Sequence, residues 1–299
     1  MGALQFRILC LAAAALLLAD CQAMPRLAAG SAPAAAASPL AYTSAELADD
    51  PRYAAIVVDA GSGRVLFAES PDALRHPASL AKMMTLYILF QELEAGRLSW
   101  GTALPVSAEA AGQPPSKIGL AAGETIAVSD AVLALAVKSG NDVAVVVAEA
   151  VAGSEEAFAQ RMTSTARRLG MARTIFANAS GLPDEAQVTT AREMALLARA
   201  LQSHFPRYYA VFSQQSFDYA GRTHRSTNRL LGALAGMDGI KTGYIRASGH
   251  NLAASVRRGS RHVLIIVFGG PSREARDAHV AALAEAYLPE RSFLVRTYR

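Results

Sequence analysis

The stretch PASLAKMMTLYILF, residues 77–90, sets Ser79 and Lys82 three positions apart at the head of an apolar run. Residues so spaced share one face of a helix, with Cβ atoms about 5–6 Å apart. A serine hydroxyl is a poor nucleophile near neutral pH and needs a base. A lysine serves as that base only if burial or a nearby cation lowers its pKa. Met83, Met84, Leu86, Ile88 and Leu89 supply the apolar surroundings for such burial. If Ser79 sits in the first helical turn, the free N–H groups and the positive dipole end also favour developing negative charge. The bland alternative is a surface lysine with its stem laid on the core.

Two further stretches raise the same choice. In KSGND, Ser139-Gly140-Asn141 interrupts two Ala/Val-rich helical patterns. A polar break in an apolar pattern strands polar groups unless they find partners. It reads either as a helix N-cap after a short loop or as a loop aimed into a cleft. In the second case a hydroxyl could relay protons and an amide could hold a substrate carbonyl. In DGIKTGY, Lys241-Thr242-Gly243 sits in a strand-like run with glycines on each side. Glycine in a strand often marks close approach of another backbone or a ligand, and an extended peptide can pair along such an edge. The bland reading is an edge strand protected by a lysine. In the functional reading Lys241 carries a fixed positive charge near Ser139, and Thr242 binds a carboxylate.

Singly these signals are weak. In order they read S-x-x-K, S-x-N and K-T-G, a motif set known from serine β-lactamases and penicillin-binding proteins. The expected context agrees: a helix start, a break between helices, and a strand.

The elements that must hold these residues can be traced along the chain. YAAIVVDAGSGRVLFAES gives two short β-rich runs about Gly61-Ser62-Gly63, a hairpin signal. The Ser79 helix runs to about Gly96, and a Gly/Pro-punctuated stretch follows over residues 107–130. Helices flank Ser139-Gly140-Asn141. An amphipathic helix follows with Ser154 as N-cap, then another with Thr189 or Thr190 at its cap. QQSFDYAGRTHRS, GIKTGYI and HNLAASVRRGSRHVLIIVFGG read as strands, the last turning at Arg258-Gly259, and SREARDAHVAALAEAYL closes as a helix. Strands on both sides of a helical block imply an α+β fold: an antiparallel sheet from both chain ends flanked by helices, with a helical subdomain. A cleft is expected between sheet and helices.

Composition sets the class. The chain has 299 residues, 52% hydrophobic and 18% charged, which is globular and not disordered. Net charge is +4, with no dense Lys/Arg block carrying interleaved aromatics, so nucleic acid is not an expected partner. Residues 1–23 read as a secretory signal peptide, with Arg7, an apolar stretch and small residues before the cut. LADC around Cys21 offers lipidation as an alternative, against which Asp20 stands. Membrane association is therefore expected only through an N-terminal anchor or lipid. Both cysteines, Cys10 and Cys21, lie here, which leaves the mature chain no disulfide and no thiol nucleophile. Residues 24–41 are an Ala/Pro-rich linker, 42–270 the catalytic domain, and 271–299 a C-terminal helix and basic tail.

From about Tyr42 to Gly270 the chain resembles the low-molecular-mass penicillin-binding proteins of the D-alanyl-D-alanine carboxypeptidase type. The likeness includes VVDAGSGRVL, HPASLAKMMTLYILF, SKIGLAAGETI, NASGLPDEAQVTTAREMALLARAL, STNRLL and GIKTGYIRASGHNLAASV. The resemblance implies Ser79 as acylating nucleophile and Lys82 as its general base. It implies Ser139 in the proton relay, Asn141 on the substrate's peptide carbonyl, and Lys241 with Thr242 positioning the terminal carboxylate. The backbone N–H groups of Ser79 and of Tyr244, just after Gly243, would form the oxyanion hole. The substrate implied is the peptidoglycan stem peptide, cleaved at D-Ala-D-Ala in the periplasm or cell-wall space without a cofactor or metal. β-Lactams would be covalent inhibitors. Known members carry an additional β-rich domain and an amphipathic anchor, for which the residues after Gly270 are too few. The compact form also occurs in a branch of D,D-endopeptidases, which leaves the bond open between stem terminus and cross-link.

Rival classes fit less well. A serine β-lactamase of this motif order would carry E-x-x-x-N between the second and third motifs, and none is found; Glu155, Glu156 and Glu185 read as helix-start or loop charges. The six histidines show no H-E-x-x-H spacing. Of these, His224 and His250 could line the cleft, but surface or satisfied-core positions are the ordinary reading. A non-catalytic cell-wall binding module is disfavoured because no residue of the triplet is broken.

Overall fold

The computed structural model describes residues 50–289. The expected signal segment with Cys10 and Cys21, the linker, and the end of the basic tail lie outside the described residues. The described chain runs β1 (Ala54–Asp59), β2 (Val65–Glu69), a 3-10 turn (Ala78–Ala81), α1 (Lys82–Glu94), β3 (Ala103–Pro105), α2 (Ala108–Gly112) and β4 (Thr125–Ala127). It continues through α3 (Val128–Leu133), a π-helical turn (Ala134–Lys138), α4 (Asn141–Ala152), α5 (Glu155–Arg168), α6 (Ala191–His204) and a second 3-10 turn (Tyr209–Ser213). It closes with β5 (Ser216–Tyr219), β6 (Arg222–Arg225), β7 (Met237–Ile245), β8 (Gly249–Arg258), β9 (Arg261–Gly270) and α7 (Arg273–Tyr287).

Five strands form one antiparallel sheet in the order β2-β1-β9-β8-β7. Its strands come from both ends of the described chain, as the α+β reading expects. Side chains alternate across a sheet, and here both faces are covered. On β9, Leu264, Ile266 and Phe268 join a core with Leu197 and Leu201 of α6. Val263, Ile265 and Val267 of the same strand face the other way, against Val280 and Leu283 of α7. That is why VLIIVF reads as an unbroken apolar run. A boundary at Gly270 would part α7 from the sheet it covers, so this helix packs as part of the same unit.

The helical block lies beside the sheet and buries its own core. In α1 every residue from Lys82 to Phe90 is buried, as expected for a helix apolar on all sides. α4 is equally buried from Asn141 to Ala148. Its valines are weak helix formers, and tertiary burial outweighs that preference. The Ser154 hydroxyl caps α5 by accepting from the Ala157 N–H at 3.1 Å. Between the two threonines considered for α6, Thr190 is the cap, accepting from the Glu193 N–H at 3.1 Å, while Thr189 pairs with Thr174. The Gly/Pro-punctuated stretch contains α2 and β4, and β4 pairs with β3 just before it in a small ribbon.

Candidate active site

Ser79 is not in the first turn of an α-helix, as expected, but in the 3-10 turn just before α1. A 3-10 turn repeats every three residues and eclipses positions i and i+3, so Ser79 and Lys82 still share a face. The turn is set up by Ala78, whose φ of 49° is unusual for a residue with a Cβ. Strain of this kind, of order 1–3 kcal/mol, persists where the surroundings over-determine the backbone. Here they do. Asn251 of β8, fully buried, donates from Nδ2 to the carbonyls of His76 and Pro77 at 3.2 and 3.3 Å. Gly181 presses on the turn from the other side. A Cβ built on Gly181 would lie 1.9 Å from the Ala78 carbonyl oxygen, and its φ is +82°.

The Lys82 amine is fully buried and touches three oxygens: Ser79 Oγ at 3.2 Å, Asn141 Oδ1 at 2.7 Å and the Ser180 carbonyl at 2.5 Å. Burial and the repulsion of Lys241 push its pKa well below the usual lysine value, with Asp142 and Glu155 acting the other way. The neutral amine has two N–H donors and one lone pair. The Asn141 and Ser180 oxygens are carbonyls and only accept. Ser79 is the one partner that can also donate, so the lone pair is left for its hydroxyl proton.

Asn141 is fixed at its other end by Nδ2, which donates to the Pro114 carbonyl at 2.9 Å. Its backbone N–H donates to Ser116 at 2.7 Å, and the Ser116 hydroxyl donates to the Lys138 carbonyl at 3.0 Å. The break at KSGND is therefore a π-helical turn, a left-handed Ser139 (φ 65°, ψ 40°) and a new helix. Next to Asn141, the buried Asp142 carboxylate accepts from the N–H groups of Ile118, Gly119 and Leu120.

On β7, at the edge of the sheet, Gly243 lies against the 3-10 turn that carries Ser79. A Cβ there would meet Pro77 O at 3.0 Å and Ser79 N at 3.2 Å. Ile245 turns both its backbone groups toward Ser248 in the β7–β8 turn. Backbone groups alternate side along an antiparallel ladder, so Tyr244 turns its N–H to the open edge, next to Ser79. Thr242 donates its hydroxyl to Thr227 at 2.7 Å.

A cleft of about 270 Å³ brings Ser79, Ser139, Asn141, Thr242, Gly243 and Tyr244 onto one surface. Lys82 and Lys241 stand behind its wall. Burial and Arg276 push the Lys241 pKa down to about 7, and its amine donates to the Thr242 carbonyl at 3.1 Å. The cations that line the cleft are Arg273 and Arg276 of α7. Arg276 is 2% exposed, donates to the Asn251 carbonyl at 3.1 Å and is paired with Asp277. His250 also lines the cleft, contrary to the ordinary reading of its type, and stacks on Tyr244 with centroids 4.3 Å apart. His224 is not in the lining and stacks on Phe217 instead. Glu155 is not a plain helix-start charge: its carboxylate accepts from the Ala179 N–H at 2.9 Å. Among the described residues no group of His, Cys, Asp or Glu could hold a metal ion, and no helix is long and apolar enough to cross a membrane.

A family model described as D-alanyl-D-alanine carboxypeptidase matches residues 43–272. The D-alanyl-D-alanine carboxypeptidase DacF of Bacillus subtilis (strain 168) is 31% identical over 259 residues, 85% of this chain and 66% of the relative. DacA of Escherichia coli (strain K12) is 35% identical over 235 residues, 75% of this chain and 57% of the relative. The chain thus spans less than two thirds of the length of these curated relatives. Among solved structures, penicillin binding protein 5 from Haemophilus influenzae matches with a TM-score of 0.75 at 29% identity, covering 78% of this chain and 69% of that one. Penicillin-Binding Protein D2 from Listeria monocytogenes in the ampicillin-bound form matches with a TM-score of 0.70 at 29% identity, covering 83% and 98%.

Proposed function

The chain belongs to the D-alanyl-D-alanine carboxypeptidase family, and from that premise we propose that it is an exported serine D,D-peptidase acting on peptidoglycan stem peptides. In this reading Ser79 removes the terminal D-alanine through an acyl-enzyme. The observation that carries it is the Lys82 amine: buried, depressed in pKa, donating to two carbonyls, and 3.2 Å from the Ser79 hydroxyl.

The steps follow from the groups at hand. Ser79 Oγ bonds to the carbonyl carbon of the D-Ala-D-Ala peptide as its proton passes to Lys82 Nζ. The oxyanion forms between the N–H groups of Ser79 and Tyr244, where Gly243 lets the strand approach. The C–N bond then breaks, and the leaving amine of D-alanine takes a proton through the hydroxyl of Ser139, a residue of the cleft lining. Water attacks the ester, and the acid product leaves with Ser79 restored. The substrate's carboxylate would lie toward Thr242, with Arg273 and Arg276 supplying positive charge from the lining. Lys241 sits behind Thr242, where a proton state near its transition at about 7 suits relay work better than a static charge.

β-Lactams should acylate the same serine; an ampicillin-bound relative shares the fold. The test is labelling with a fluorescent penicillin, set beside Ser79→Ala. Label on the intact protein and none on the variant is expected, and an unlabelled intact protein ends the proposal. Product analysis on muropeptides then reads the bond. Free D-alanine from pentapeptide monomers is expected; monomers from cross-linked dimers without D-alanine would assign the endopeptidase reaction instead.

A further inference from the structure

We propose that Glu155 is a positioning residue for the general base, holding the 178–181 loop so that a loop carbonyl fixes the direction of the Lys82 amine. The inference rests on the Ser79 acylation reading above. Glu155 opens α5, outside all three motifs, and it does not line the cleft.

The connection is three hydrogen bonds long. The Glu155 carboxylate accepts from the Ala179 N–H at 2.9 Å. The Ala179 carbonyl accepts from the Thr85 hydroxyl at 2.7 Å. The next carbonyl, that of Ser180, accepts from Lys82 Nζ at 2.5 Å. Thr85 and Lys82 lie three apart on α1 and so share a face, and the two successive loop carbonyls dock on it side by side. Glu155 pins the same segment from the opposite side. Ala179 is fully buried, so loss of the carboxylate would leave its N–H without a partner and away from water. The loop would then shift to recover a bond, and the Ser180 carbonyl would move with it. Gly181, next in the chain, is packed against Ala78 and transmits any shift to the nucleophile turn.

Charge adds a second channel. The groups that bear on Lys82 are Lys241 of β7, Asp142 of α4 and Glu155 of α5. Glu155 in turn faces Glu109 of α2, Glu149 of α4 and Lys82 of α1. Burial raises the Glu155 pKa, with the two glutamates adding to it, while the Ala179 N–H and Lys82 lower it. An ionised Glu155 favours the ammonium form of Lys82. Removing that charge therefore makes the neutral base available at lower pH.

Glutamine separates the two channels, since it keeps an acceptor for Ala179 and loses the charge. The experiment is the rate of acylation of the full chain by a fluorescent penicillin across pH, for the wild type, Glu155→Ala and Glu155→Gln. Glu155→Ala is expected to slow acylation on the order of tenfold to a hundredfold, as small misplacements of catalytic groups do. Glu155→Gln is expected to recover most of the plateau rate, with its acid limb displaced to lower pH. A wild-type rate in Glu155→Ala overturns the proposal, as does a Glu155→Gln profile with an unmoved acid limb or the slow plateau of the alanine variant. If Glu155→Ala fails to fold, the glutamine variant decides alone. A wild type that takes no label defeats the acylation reading itself, a separate result.

Discussion

The Lys82 amine lies 3.2 Å from the Ser79 hydroxyl and 2.7 Å from the Asn141 side-chain carbonyl. The Asn141 oxygen can only accept from the amine, whereas the Ser79 hydroxyl is the one neighbour that could also give it a proton. Methionine is similar in length to lysine but has no base. Lys82→Met should keep the buried stem, cost stability because the Asn141 and Ser180 carbonyls lose their donor, and lose acylation by roughly 10²–10⁴-fold. Stopped-flow or gel-based penicillin labelling reads the rate. Labelling within a few-fold of wild type would remove Lys82 from the role of base.

Asn141→Asp keeps an oxygen for Lys82 but adds a negative charge beside it. An opposite charge at this distance favours the ammonium, so the base is neutral only at higher pH. The acid limb of the acylation profile should move up by about one pH unit or more. The opposite displacement is expected for Glu155→Gln. Two variants that moved the limb in the same direction would show that charge at Lys82 does not set it.

The motifs carried much of this site because catalysis needs specific residue types at short spacings. Ser79 with Lys82 and Ser139 with Asn141 are close in sequence as well as in space. The sheet was legible too, since a strand buried on both faces, such as β9, has no other way to read than VLIIVF. What was not legible comes from tertiary approach. Ser180 contributes only a backbone carbonyl to Lys82, and no side-chain pattern encodes that. Glu155 looked like a charge at a helix start because its use depends on where a loop from residues 178–181 returns. Arg276 lies in the first turn of α7, and only the packing of that helix on the sheet brings it to the cleft. The lowered pKa of Lys241 is not legible either, because desolvation is a property of the fold and not of KTG.

Gly181→Ala offers a test of that tertiary approach, with a built-in control. Gly181 and Gly153 share a φ of +82°, yet a Cβ at Gly153 meets nothing within 4 Å and one at Gly181 meets Ala78 O at 1.9 Å. Gly153→Ala should cost about 1–2 kcal/mol, the left-handed penalty alone, and leave acylation unchanged. Gly181→Ala should cost more and also slow acylation, because the clash falls on the turn that carries Ser79. Urea unfolding and penicillin labelling measure both. Equal effects from the two variants would mean that the contact with Ala78 does not constrain the nucleophile.

Stability should climb with pH above neutrality, a consequence of the two buried lysines. Lys82 and Lys241 both have lowered pKa values when folded, Lys241 to about 7, while an unfolded lysine titrates near ~10.4. Between those values the unfolded chain binds more protons than the folded one, so each such lysine adds stability as pH rises, by about 1.4 kcal/mol per pH unit. Above about pH 10 the trend should reverse. Tyr53 and Tyr209 have pKa values raised, chiefly by burial, so they keep their protons after the unfolded chain has lost them. Urea unfolding from pH 7.5 to 11 should therefore give a maximum near pH 10. Lys241→Met should flatten the rising side by about one proton's slope. An unchanged slope in that variant would show that Lys241 is protonated in the folded protein, and the relay role given to it would then fail with the stability argument.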